Sequence, residues 1–571
     1  MRSKWHWMLL LLVAGVLALA AGCGGNDDDE GTAGDTTAAD TSGGDEGASG
    51  GTLVFAGASD PVSLDPALVS DGESIRPITQ IFETLVALEP GGTDLVAGLA
   101  ESWKVSDDAK AITFTLRSGV KFTDGTPFNA EAVCFNFDRW YNFTGPAQSA
   151  SASYYWQATF GGYAKNSAEN EGLGQSLYAS CEATDETTAV INLTKPSASV
   201  LGALALQAFA IASPQALKDY KADEGTLDEE TGFKPSGTFG SEHPVGTGPF
   251  KLEKWEIGNK LTLVRNEDYW GDKAKLDKLI IRPIGDNAAR LQALQTGEIQ
   301  GYDLVEPQDV PTIEGDSDLQ ILERPAFNVA YVTINHKVPP FDKLEVRQAV
   351  AYGLDRQSVV DNFYGGRGEV AKEFMPPSLP GYADDVTEYT YDPEKAKSLL
   401  TGAGLTLPVK VDFWYPTDVS RPYMPDPKRN FEAFAASLNK SGFKVVPHSA
   451  PWSPDYLGRV DEGKAGALNL IGWTGDYADA DNFIGVFFQG QKPQWGFKNP
   501  ELTAALDAAE VEPDTAAREA KYQEINKMIM DFLPGVPYAH SKPALAFAAN
   551  VKGFQPSPTT NESFASVSIE G

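Results

Sequence analysis

Residues 26–50 contain only Gly, Ala, Ser, Thr, Asn and acidic side chains, and that stretch decides where a fold can begin. With no apolar residue larger than alanine, it cannot bury enough surface to offset the entropy of ordering it. It therefore reads as a flexible acidic tether. Ahead of it, Arg2 and Lys4 precede the apolar run Met8 to Ala21 and the small residues Gly22-Cys23. A basic start, a short apolar core and small residues make residues 1–22 a secretory signal, too short for a convincing membrane span. Behind it, residues 51–571 are too many for one small core and predict two or more lobes. The net charge of −33 excludes nucleic acid as a partner, because phosphate neutralisation needs Lys and Arg patches.

The junction Ala20-Ala21-Gly22-Cys23 resembles a bacterial lipoprotein processing site, with alanine at the usual leucine position and Leu19 one place earlier. That resemblance implies that Cys23 is the lipidated first residue of the mature chain. Residues 23–50 then hold a globular body at the extracytoplasmic face of the cell membrane while leaving it free to tumble. With Cys23 so assigned, Cys134 and Cys181 remain as a pair in an exported chain, and a disulfide between them is expected. The middle of the loop it closes, 148–175, is rich in Ser, Ala, Gly and Asn and is expected to be flexible.

Strand and helix patterns mix along the whole body. Thr52 to Gly57 reads as a strand, and an apolar helical segment is expected around Ile75 to Val86. Ile112 to Arg117 and Thr188 to Leu193 alternate apolar and polar residues, the signature of strands with one wet face. Asn129 is a sensible cap for a helix from Ala130 whose Val133, Phe137 and Trp140 share a face. Val346, Ala349, Val350 and Gly353 line one helix face. Phe431, Phe434, Ala435 and Leu438, and later Tyr522, Ile525, Ile529 and Phe532, repeat that spacing. The class is α/β with more than one sheet.

Catalytic chemistry is thin. His243, His336, His448 and His540 lie far apart, and none has a His or Cys partner at ligand spacing, so no metal site is expected. There is no Gly-x-Ser-x-Gly elbow and no phosphate loop. Asp479 and Asp481 form a possible carboxylate pair, for which chance proximity is the better account in so acidic a chain. More pointed is Gly472 to Phe483, which follows the apolar run Ala465 to Ile471, read as a buried strand. Here Asp476 sits among Gly475, Tyr477 and Trp473. Glycines that let backbone approach a ligand, with aromatic walls around one carboxylate, suit capture of a cationic group such as an amine.

Four blocks resemble the family-5 extracellular solute-binding proteins of bacterial ABC importers, especially the peptide-binding members. They are Ala100 to Asp108 with Phe114 to Ala130, and Pro244 to Phe250 with Arg265-Asn266 and Tyr269-Trp270. The others are Asn335 with Pro340-Phe341, Val346 to Ala349 and Asp355-Arg356, and finally Gly472 to Phe483. The resemblance implies a two-lobe periplasmic-binding-protein type II fold that closes about a hinge. The first lobe would be 51–325 plus 537–571, with a small domain inserted at 99–240, and the second lobe 326–536. It further implies that Asp476 binds a peptide α-amino group. Arg421, in Arg421-Pro422-Tyr423-Met424-Pro425, would take the α-carboxylate, with Trp473, Tyr477 and Tyr423 as walls. The implied role is non-enzymatic and without a cofactor: a monomeric receptor delivering short peptides to an ABC permease and ATPase complex. An oligosaccharide, opine or other small solute is the alternative cargo.

Overall fold

The computed structural model describes residues 50–571 except 150–151, 229–231 and 491. The signal, Cys23 and nearly all of the tether lie outside the described residues. Three main sheets build the body. A seven-stranded sheet runs in the order Phe250–Glu256, Lys260–Arg265, Lys278–Pro283, Thr52–Gly57, Gly301–Tyr302, Ala544–Ala548, Leu319–Glu323. A six-stranded sheet runs Gly368–Glu369, Gly535–Ser541, Asn328–Ile334, Leu468–Thr474, Val409–Thr417, Phe443–Pro451. A four-stranded antiparallel sheet joins Ala100–Val105, Ala111–Leu116, Thr188–Leu193 and Tyr178–Asp185.

Side-chain alternation explains how the seven-stranded sheet is covered on both faces. Leu53 and Phe55 join Leu545 and Phe547 in one core, whereas Ala56 joins Ala544 and Ala546 in another. In the small sheet Ile112, Phe114 and Leu116 are buried at every second position, as the sequence pattern requires. Asn129 caps the helix Ala130–Tyr141 by accepting from the Ala132 N–H at 2.9 Å, and Val133, Phe137 and Trp140 are buried. The helix expected around Ile75 to Val86 stops at Ile81, and Val86 opens a short strand. Between them Glu83 accepts from the Thr247 and Tyr269 hydroxyls and the Trp270 indole at 2.7–2.8 Å. Three of the family-like residues between 244 and 270 thus converge on one carboxylate, whose pKa burial raises against those three donors.

Among the described residues only two short segments connect the two large sheets, 324–327 and 542–543. The crossing expected near 536 falls inside the strand Gly535–Ser541, because that strand pairs antiparallel with Asn328–Ile334 before the chain leaves the sheet. The crossings are stitched together. The Arg324 N–H donates to the Pro543 carbonyl at 2.9 Å, and Asn328 exchanges hydrogen bonds with Ser541. Beside them Arg324 is buried against Asp303 and Glu562, an arrangement that offsets the cost of taking its charge out of water.

Cys134 and Cys181 are bonded, with Cα atoms 5.1 Å apart, and tie the helix Ala130–Tyr141 to the strand Tyr178–Asp185. The described residues of the loop between them carry more regular structure than its composition suggested. Residues Tyr154–Phe160 form a helix whose Trp156 and Phe160 rings, 4.5 Å apart, pack into an aromatic cluster with Phe137, Trp140 and Tyr178. Burial of these rings outweighs the loop-forming tendency of the small polar residues around them.

Candidate functional site

The strand after Ala465 runs further than the apolar run suggested. Leu468–Thr474 pairs with Asn328–Ile334 along its whole length, so Gly472, Trp473 and Thr474 are strand residues and the loop begins at Gly475. Both glycines make room for aromatic packing, and Gly472 also lines the cavity described below. A Cβ on Gly472 would stand 2.3 Å from the Tyr423 ring, and one on Gly475 would stand 2.2 Å from the Phe327 ring. Tyr423, buried by this contact, comes from the segment that also carries Arg421. One pair of residues therefore locks the two predicted poles of the site together.

Asp476 is held rather than neutralised. Its carboxylate accepts from the Tyr155 hydroxyl at 3.1 Å and from the Asn482 amide at 3.3 Å, while its own N–H donates to the Asn482 carbonyl oxygen at 2.8 Å. Among the described residues no Lys or Arg forms an ion pair with it. Burial pushes its pKa up to about 6, against the pull of the two hydrogen bonds. Asn482 also accepts from the Trp473 indole at 3.4 Å and so fixes the wall and the charge together.

Arg421 is the mirror case. A tight turn, with Arg421 and Met424 exchanging main-chain hydrogen bonds at 2.9 and 3.1 Å, lifts it from the strand Val409–Thr417. Its guanidinium lies 4.2 Å over the Trp452 ring, its Nε has no hydrogen-bond partner, and no carboxylate pairs with it among the described residues. Burial lowers its pKa, with the Tyr423 phenol opposing. The turn is anchored to the crossing segment, since the Ser541 hydroxyl donates to the Pro422 carbonyl.

Asp476, Arg421, Trp473 and Tyr423 line one cavity of about 1670 Å³, whose other wall includes Arg76 from the helix Gly72–Ile81, Asp303 just after the strand Gly301–Tyr302, and Tyr155 from the helix Tyr154–Phe160. Tyr477 does not line it. It packs instead on the core built around the four-stranded sheet, where a Cβ on Gly202 would touch its ring at 3.4 Å. Neither Asp479 nor Asp481 reaches the cavity. Asp479 is engaged bidentately by Arg518 at 2.6 and 2.8 Å, and Asp481 is buried beside it, its pKa pushed up to about 7 by burial and by Asp479. His540 is buried and His336 half-buried, and loss of solvation lowers their pKa to about 4 and about 3. Among the described residues no group of His, Cys, Asp and Glu is arranged to hold a metal ion.

Tyr155 and Asn482 are the contacts that sequence reasoning missed. Asn482 lies inside the segment singled out, yet nothing marked its side chain as a bracket. Tyr155 is 321 residues from Asp476 in the chain and sits in a segment whose composition pointed to flexibility.

The family model for bacterial extracellular solute-binding proteins, family 5, matches residues 94–495. The chain is 33% identical over 539 residues to heme-binding protein A of Haemophilus influenzae, covering 92% of this chain and 93% of that one. It is 32% identical over 534 residues to the dipeptide-binding protein of Escherichia coli, covering 91% and 95%. Among solved structures, the periplasmic binding protein DppA of Helicobacter pylori in complex with the peptide STSA superposes with a TM-score of 0.75 at 28% identity, over 92% of this chain and 99% of that one. With its sheets linked by two crossings over one large cavity, the chain belongs to the family-5 bacterial extracellular solute-binding proteins and has their two-lobe fold.

Proposed function

We propose that the protein is a non-enzymatic receptor that captures short peptides in the cleft between its lobes and delivers them to the permease and ATPase complex of an ABC importer. The observation that carries this reading is a pair of opposite charges, Asp476 and Arg421, without ionic partners among the described residues, on the walls of one cavity. A buried charge is costly unless paired, and a zwitterionic ligand supplies one partner to each. The cavity exceeds the roughly 300–1,000 Å³ of pockets for drug-sized ligands, which leaves room for varied side chains. Trp473 and Tyr423 form walls, and closure turns about the crossings at 324–327 and 542–543. The names of the Escherichia coli and Helicobacter pylori relatives support peptide as the cargo. Heme, named for the Haemophilus influenzae relative, is less favoured, because no His, Cys or Met lines the cavity among the described residues.

In this reading the mature chain is a monomer that begins at a lipidated Cys23, and residues 26–50 let the body range over the extracytoplasmic face of the membrane. No helix among the described residues is long and apolar enough to cross one. An oligosaccharide, opine or other solute in the same transport role requires binding that ignores ligand termini. Native mass spectrometry of freshly purified protein tests the proposal. Co-purifying masses that fragment as short peptides support it, and a non-peptide adduct overturns it.

A further inference from the structure

The second-lobe wall of the cavity carries a carboxylate that the two-pole site does not use. Asp461 ends the short helix Leu457–Asp461, lines the cavity and is exposed into it. Among the described residues no donor hydrogen-bonds to its carboxylate and no cation closes to an ion pair with it. Lys492, also on the cavity wall, attracts it from a distance. The segment after Asp461 is fixed against the chain that follows Lys492. Gly463 has φ +69°, and a Cβ there would stand 2.4 Å from the Pro493 carbonyl oxygen. Tyr154, from the helix Tyr154–Phe160, lines the same cavity and packs edge-on to Tyr155 at 5.1 Å. Burial raises the Tyr154 phenol, and Asp476 and then Asp461 raise it further, so both carboxylates act on one hydroxyl. Asp461 and Asp476 thus line one cavity, and Tyr154 of the same cavity feels both carboxylates.

We propose that Asp461 is a specificity residue that reads the positive charge of a basic ligand side chain, of the lysine or arginine kind, while Asp476 takes the terminal amine. This inference rests on the peptide reading above. It acts in both directions. A cationic side chain gains a partner, whereas an apolar one of equal length removes water from a carboxylate and gives nothing back. For a partly wet pair the expected discrimination is roughly tenfold.

Calorimetry with Ala-Lys and Lys-Ala against Ala-norleucine and norleucine-Ala tests it, since norleucine keeps the chain length and removes the charge. In the wild-type protein at least one lysine peptide should bind about tenfold more tightly than its norleucine partner. That ratio should fall to near one in Asp461→Asn and persist in Asp461→Glu. A wild-type ratio near one, or a ratio that survives Asp461→Asn, overturns the inference while the peptide reading stands. Failure of all four peptides to bind the wild-type protein overturns both.

Discussion

Acidification should weaken peptide binding through Asp476, and the size of the effect follows from its surroundings. Burial holds this carboxyl near pKa 6, and the Asn482 and Tyr155 hydrogen bonds keep it from rising further. A peptide's α-amino group titrates near 7.7–8.0 and its α-carboxyl near 3.3–3.7, so between pH 7 and pH 5 the ligand keeps its charges. Over the same interval Asp476 passes from about nine-tenths to about one-tenth ionised. Only the ionised form pairs with an ammonium, so affinity is full above pH 6 and falls as pH drops through it. The expected loss from pH 7 to pH 5 is about tenfold, or about 1.4 kcal/mol. Binding at pH 6 should release about half a proton, because the bound amine favours the carboxylate. The unliganded fold responds with the opposite sign. Folded Asp476 takes up its proton at higher pH than unfolded Asp476, so its destabilising charge is present above pH 6 and relieved as pH falls. Calorimetry of Ala-Ala from pH 5 to pH 7, in buffers of differing ionisation enthalpy, reads both the affinity and the proton count. A flat wild-type profile, or an equal slope in Asp476→Asn, would refute the reasoning.

Arg421→Ala should cost several kcal/mol of dipeptide affinity by calorimetry, since the ligand carboxylate is then buried without its cation. Tyr155→Phe removes one of the two donors to Asp476, so it should weaken binding by about 1 kcal/mol and move the inflection of the pH profile upward; an unmoved inflection would contradict the contact. Gly472→Ala places a Cβ 2.3 Å from the Tyr423 ring and 2.5 Å from the Val329 carbonyl oxygen, and should lower stability by about 1–3 kcal/mol and impair binding together. Denaturant unfolding alongside calorimetry checks that coupling.

Local periodicity carried much of the fold. The strand at Thr52–Gly57, the capped helix Ala130–Tyr141 and the buried face of Pro427–Lys440 were legible because each follows from short-range spacing. What sequence could not reveal depends on contacts between distant segments. Arg347 and Arg356 stand in a family-like block, and the structure gives their reason. Arg347 donates to the Phe341, Asp342, Phe532 and Leu533 carbonyls, and Arg356 to those of Ala371, Tyr389 and Pro537. These are struts, not ligand contacts. Tyr477 shows the converse. It adjoins Asp476 in sequence, but its ring packs on the core built around the four-stranded sheet, while Tyr155, distant in the chain, donates to Asp476 and lines the cavity.

The proposed recognition rests on two half-buried opposite charges on one cavity wall, one for each end of a peptide. Comparing Ala-Ala with N-acetyl-Ala-Ala and Ala-Ala-amide by calorimetry on the wild-type protein tests it most directly. The acetyl group removes the positive end facing Asp476, and the amide removes the negative end facing Arg421. Each cap is expected to weaken binding by roughly a hundredfold or more, because each leaves one of these charges unpaired. Equal affinity for the free and capped peptides would contradict the account.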